Sequence, residues 1–278
     1  HFGRRVLVIF VVSHSFRNRL GSSKDSMKRL IALLALALSL PLLARKPNII
    51  YILADDLGYG DLGCYGQKII KTPNLDRMAK EGMKFTRHYS GSTVCAPSRS
   101  ALLQGKHTGH IYVRGNGSLQ MRRDPLDPIF PAALQKVGYH TALIGKSGLG
   151  CNTDDSALVI DKGFDYFFGY TSHTAAHFYY PDYLWRNTEK VKYPKNTLHD
   201  GDHYSSTVVT KEALDYIEKQ KDGPFFLHLA LQVPHASPAP RKSGRRSIAR
   251  FSRRSFCPPG ISILIIPTSA NRRRPSPP

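Results

Sequence analysis

Residues 48–56 read Asn-Ile-Ile-Tyr-Ile-Leu-Ala-Asp-Asp. The run from Asn48 to Leu53 is apolar without interruption, of strand length, and leads into Asp55-Asp56. A strand covered on both faces has no solvent side towards which to alternate, so this pattern predicts a buried parallel strand with polar residues at its carboxyl end. In open α/β sheets, chemistry collects at that end. Downstream, Thr72-Pro73 supplies an N-cap and an N1 proline, Leu75, Met78 and Ala79 follow at helical spacing, and Gly82 can close the helix. A second helix is predicted from about Ala96-Pro97 through Leu103, and a third over Pro131 to Val137 ahead of Gly138. His140 to Ile144 reads as a strand delivering Gly145-Lys146, Thr207 to Gln220 as a helix, Gly223-Pro224 as a turn, and Phe225 to Leu231 as a buried strand ending near His235. Alternating strand and helix predicts an α/β fold with a largely parallel sheet and helices on both faces. No internal repeat of solenoid or propeller length is present.

The chain has 278 residues and is 41% hydrophobic, enough for one large packed domain or two small ones. Its net charge of +20 would suggest a polyanionic partner if it were spread over a folded surface. It is not: residues 1–44 carry seven Lys/Arg against one acid, residues 45–235 twenty-three against nineteen, and residues 236–278 ten against none. The predicted folded part is close to balanced, so nucleic-acid binding is not expected. Cys64, Cys95, Cys151 and Cys257 form neither a C-x-x-C pair nor a zinc spacing with histidines, and they give no disulfide framework.

Both ends differ from the middle. Met27-Lys28-Arg29 followed by the apolar run Leu30 to Ala44 reads as the n- and h-regions of a signal peptide over 27–44, too short for a stable membrane span. Export to the periplasm or outside the cell follows from that reading, and residues 1–26 read as spurious upstream sequence. After His235 the composition changes abruptly. Residues 236–278 are basic and proline-rich, with a lone apolar burst at Ile261 to Ile266, and read as a frameshifted or disordered tail that adds little core. The folded region is then expected to span 45–235.

The segment with most chemical content is Cys95-Ala96-Pro97-Ser98-Arg99-Ser100-Ala101-Leu102-Leu103-Gln104-Gly105. An isolated cysteine beside a proline-started helix is ordinarily a small buried hydrophobe, and adjacent aspartates at a strand end are ordinarily a cap or a solvated turn. Their joint order changes both readings. Cys95 lies forty residues beyond Asp55, and between them stands Thr72-Pro73-Asn74-Leu75-Asp76. Gly105-Lys106-His107-Thr108-Gly109-His110, Gly145-Lys146, Phe168-Gly169-Tyr170 before Ser172, and Pro234-His235 follow in sequence. Together these stretches closely resemble the N-terminal portion of the sulfatases, over about residues 46–235. Gln104 stands where the family signature usually has Thr, a departure that bears on the fit to the maturation enzyme. Gly148 stands where many members have a histidine two residues after the lysine.

The resemblance implies an alkaline-phosphatase-like fold whose C-terminal part, with an Asp-Asn metal pair and a later lysine, is missing from this chain. It also implies hydrolysis of sulfuric esters. Cys95 would be converted to formylglycine by a formylglycine-generating enzyme, and the hydrated aldehyde would attack sulfur with one hydroxyl and expel sulfate through the other. A divalent cation, Ca²⁺ in most of the family, would take oxygens from Asp55, Asp56 and modified Cys95. Arg99 would reach the diol or the metal-bound carboxylates. Lys146 and Ser172 would hold the substrate sulfate, and His235 would protonate the leaving alcohol. The substrate implied is a sulfated small molecule or polysaccharide. Two alternatives stay open: a phosphonate or phosphate ester hydrolase of the same superfamily, and a non-catalytic fragment.

Overall fold

The computed structural model describes residues 46–117, 119–149 and 155–235, together with the backbone strand Ile261–Ser269. The expected signal segment 27–44, the upstream 1–26, and residues 236–260 of the expected tail lie outside the described residues.

The first strand, β1, spans Asn48–Gly58, and Ile50 to Ala54 within it are buried. Its neighbour on one side is β6 (Phe225–Pro234), paired in parallel from Ile49 opposite Phe226 to Ala54 opposite Leu231. Beyond Ala54 the register shifts and Asp55 comes opposite Pro234. This irregularity sets the acidic end of β1 against the residue preceding His235, and ladder breaks of this kind are used to aim side chains near functional sites. On its far side β6 pairs in parallel with β2 (His140–Lys146), and β2 with β3 (Tyr166–Tyr170). An antiparallel hairpin, β4 (Tyr183–Arg186) and β5 (Glu189–Lys192), closes that edge, and β7 (Ile261–Ser269) lies parallel to β1 on the other. The order is β5-β4-β3-β2-β6-β1-β7. The apolar burst in the expected tail thus forms the backbone of an edge strand. Five β-branched or leucine residues within Ile261–Ile266 suit a ladder beside β1.

Side chains of β1 alternate between two cores. Ile50 and Ile52 join Ala142, Ile144, Leu227 and Leu229 beneath Val209, Ala213 and Ile217 of helix α5 (Ser205–Gln220). Tyr51 and Leu53 point oppositely, into a cluster with Leu143, Phe226 and Phe167. That second face is covered by α2 (Cys95–Gln104), α3 (Phe130–Lys136) and the short α4 (Ala157–Asp161), through Ala96, Leu103, Leu134 and Leu158. Helix α1 (Pro73–Glu81) starts after Thr72 as expected, but the Thr72 hydroxyl does not cap it. Instead it accepts from Gly63 N at 2.8 Å and donates to Asp76 Oδ1 at 3.0 Å, tying α1 to the turn after β1. The hairpin and α4 have no counterpart in the sequence reading. Each is five residues or fewer, below the length at which periodicity speaks.

One buried group ties this core to pH. His228 on β6 lies opposite Tyr51 of β1 and stacks on it with ring centroids 5.3 Å apart. Burial, with a smaller contribution from the Arg99 charge, pushes its pKa down to about 3. The folded-state value is therefore depressed below the ordinary 6.5, so as pH falls from 6.5 towards 3 the unfolded chain takes up a proton that the folded chain refuses. Stability should fall through that window by about 1.4 kcal/mol per pH unit on account of this residue. Urea unfolding at pH 7, 6 and 5 is expected to show a shallower acid loss in His228→Phe than in the unaltered chain. Parallel curves would contradict the assignment.

Candidate active site

The carboxyl ends of β1, β2, β3 and β6 converge on one rim, and the charged residues expected there are brought together by the parallel register. Asp55, Arg99 and Lys146 are each at most 3% exposed. Lys146 Nζ donates to Asp55 Oδ2 at 2.7 Å. Arg99 Nη1 donates to the Lys146 carbonyl at 3.0 Å, while Nη2 stands 3.6 Å from Asp55 Oδ2, a Coulombic contact too long for a hydrogen bond. Burial alone would raise the Asp55 carboxyl, but the adjacent Arg99 and Lys146 charges overcome it and hold the group well below the usual carboxylate range. Two buried cations thus face one buried carboxylate, with the exposed carboxylate of Asp56 beside them.

Asp56 is exposed, with its Oδ2 3.5 Å from His235 Nε2. Partial burial and the Asp55 charge raise its pKa. The His235 carbonyl accepts from the Tyr179 hydroxyl at 2.7 Å, and its ring stacks on His177 at 4.4 Å with an 8° interplanar angle. Both ring nitrogens of His173 are buried with no hydrogen-bond partner, and burial, with the Lys146 and Arg99 charges next, drives its pKa down to about 2. His177 is lowered too, by burial and then by Lys146. These two histidines were not anticipated. Their i, i+4 spacing directly after Ser172 is the one signal that could have raised them. Ser172 itself accepts from Ala175 N at 3.2 Å and so caps the turn that carries His177.

Cys95 opens α2, and Arg99, one turn on, is the residue that ties that helix to Asp55 and Lys146. The N-cap position belongs to Val94, which has no side chain to cap with. Asn116 takes that role from a distant loop: its Oδ1 accepts from Ala96 N at 2.9 Å and its Nδ2 donates to Cys95 Sγ at 3.2 Å. Gln104, in the place of the signature Thr, donates to Ser100 Oγ at 3.0 Å within the same helix. Gly105 ends it in the left-handed conformation at φ 61°. Gly148 has a physical reason to be glycine. Its φ is +73°, and a Cβ there would lie 2.4 Å from Arg99 Cδ, so a histidine would require Arg99 to leave its present path.

The metal ligands expected from the resemblance, Asp55, Asp56 and Cys95, do not form a cluster. Among the described residues no group of three or more His, Cys, Asp or Glu side chains is placed to hold an ion. Asp55 is turned instead to Lys146 and Arg99. A hard cation needs six or more oxygens, and these residues by themselves do not fit one. Among the described residues no helix is long and apolar enough to cross a membrane.

Comparison with known proteins agrees with the motif order. Human arylsulfatase D is 42% identical over 138 residues, covering 45% of this chain and 23% of the relative. Human N-acetylgalactosamine-6-sulfatase is 35% identical over 215 residues, covering 69% and 40%. The crystal structure of Ps i-CgsB superposes with a TM-score of 0.60 at 29% identity, covering 72% of this chain and 48% of that one. A protein solved with its substrate D-glucosamine-2-N,6-O-disulfate gives 0.58 at 30% identity, covering 71% and 37%. The chain therefore spans less than half the length of each of these proteins, and its mostly parallel sheet with helices is that of the alkaline-phosphatase-like fold. With the sulfatase family model matching residues 47–253, a signature cysteine at the start of α2 and Arg99 linking that helix to the strand-end charges, the chain belongs to the sulfatase family.

Proposed function

We propose that this chain carries the nucleophile side of a sulfuric ester hydrolase, with Cys95, oxidised to formylglycine by a separate maturation enzyme, as the attacking residue. Formylglycine supplies a hydrated aldehyde that can both attack sulfur and release sulfate. The observation that carries the reading is the Arg99 contact, which sets the helix beginning at Cys95 against the buried Lys146–Asp55 pair. The two buried cations there complement a sulfate group, and preorganised donors of this type stabilise charge that develops in the transition state. Lys146 would bind sulfate oxygens and Ser172 would line the same side. His235 would give a proton to the leaving alcohol, a reading supported by its stack on His177 and by the Tyr179 hydrogen bond to its carbonyl, which restrain it. Asp55 and Asp56 would contribute oxygens to a divalent cation only alongside ligands beyond the described residues. Several relatives and neighbours are named for sulfated sugars, which favours a sulfated carbohydrate as substrate. The Met27 to Ala44 pattern favours an exported protein, secreted or periplasmic.

Release of sulfate from a chromogenic aryl sulfate and from sulfated monosaccharides, measured beside the matching phosphate esters and with the mass of the Cys95 peptide in hand, tests the reading. Sulfate release by material carrying the modification is the expected result. Hydrolysis of phosphate or phosphonate esters alone would move the chain to the sister activity. The turn of Asp55 towards Lys146 and Arg99 favours one competing reading, a non-catalytic family fragment, which predicts no hydrolysis of either ester by modified material. It also leads to a direct expectation: calorimetric titration of the full chain with Ca²⁺ should give no stoichiometric binding tighter than about 10 µM. A tight one-to-one isotherm would overturn it.

A further inference from the structure

We infer that Asn116 is a positioning residue for the side chain of residue 95, holding its heteroatom in one rotamer through a carboxamide whose other end caps helix α2. The inference rests on the nucleophile reading above and adds a residue to it. The first N–H groups of a helix have no intrahelical partner, and Val94 cannot supply one. Asn116 Oδ1 meets that need at Ala96 N, 2.9 Å away. Because a backbone N–H can only donate, the carboxamide oxygen must face it, which fixes the choice between the two ends of the group. The amide plane then leaves Nδ2 aimed at Cys95, 3.2 Å from Sγ.

The loop that presents Asn116 is braced on its N-terminal approach. Val113 is fully buried in the core under α2. The Arg114 guanidinium folds back to donate to the Ile111 carbonyl at 2.9 Å and the Gly109 carbonyl at 3.2 Å. A side chain at position 95 has three staggered χ1 wells, and a fixed donor on one side selects among them. Oxygen accepts such a bond more strongly than sulfur, so the same Nδ2 would hold an oxygen attached to that Cβ after oxidation.

Two variants of the full chain separate capping from donation. Asn116→Asp keeps an acceptor for Ala96 N, in a position favourable to the helix dipole, and removes the donor. Asn116→Ala removes both. Hydrogen exchange at the Ala96 amide should stay slow in Asn116→Asp and accelerate about tenfold or more in Asn116→Ala. In nuclear magnetic resonance spectra, the Asn116 side-chain NH₂ signals should shift in Cys95→Ala, and an unchanged pair of signals would overturn the contact. With an aryl sulfate, Asn116→Asp should lose about tenfold to a hundredfold in kcat with KM within about twofold. A kcat equal to that of the unaltered protein would overturn the positioning role. If the unaltered, modified protein hydrolyses no sulfate ester, the sulfatase reading fails, and the exchange and resonance results decide Asn116 without it.

Discussion

Cys95→Ser is expected to end catalytic turnover, with sulfate release falling by about a thousandfold or more, while the fold survives. The size of the effect follows from the chemistry of the nucleophile. A serine hydroxyl can accept a sulfo group, but it has no second oxygen on the same carbon with which to expel it, so the variant should stall as a sulfated enzyme after one event per molecule. Intact mass after incubation with an aryl sulfate should show one added sulfo group, and sulfate in solution should stay at background. Tolerance of the fold follows from the packing. Cys95 is only partly buried, at the first position of α2, and its side-chain hydrogen bond is the one from Asn116, which a hydroxyl also accepts. The urea midpoint should therefore move little. Continued multiple turnover by Cys95→Ser, or by Cys95→Ala, would remove Cys95 from the mechanism.

The second large effect is on stability. Lys146→Met is expected to cost about 3–5 kcal/mol, because it strips a 2.7 Å ion pair from Asp55 and leaves a carboxylate that is 2% exposed with its nearer cation gone and Arg99 3.6 Å away. Removing both charges together should hurt far less. Asp55→Asn with Lys146→Met replaces the buried pair by a neutral amide and an apolar stem, so the double variant should recover much of the stability lost in the single one. Urea unfolding of the four proteins in this cycle measures the coupling. A coupling near zero would mean that Asp55 and Lys146 are not paired in solution. On the proposed function both variants should also lose activity, since Lys146 would bind sulfate oxygens and its charge, after that of Arg99, helps hold Asp55 ionised.

Long elements were legible from pattern alone. The unbroken apolar run at Asn48–Leu53 and that at Phe225–Leu231 became adjacent parallel strands, since a strand buried on both faces has no polar alternation. The helices around Met78, Leu103 and Ile217 came within a few residues of their expected limits, because proline, glycine and apolar spacing act locally. The hairpin Tyr183–Lys192 escaped because each strand is four residues long and mixes charged with aromatic side chains. The strand at Ile261–Ser269 escaped because its surroundings are basic and proline-rich, and its partner, β1, lies more than two hundred residues away.

The site divides along the same physical line. Motif order in the sequence, through its resemblance to the sulfatases, pointed to the family, the candidate nucleophile and the candidate site residues Asp55, Arg99, Lys146 and His235, because each sits in a local motif or at the end of a recognisable strand. Only the tertiary structure decided who touches whom. It turned Asp55 to Lys146 and Arg99 and left no ligand cluster among the described residues. It gave Gly148 its reason in the path of Arg99, stacked His177 on His235, and brought Asn116 across twenty-one residues to Cys95. Such pairings depend on strand register and loop closure, which act through space between residues that carry no periodic relation along the chain.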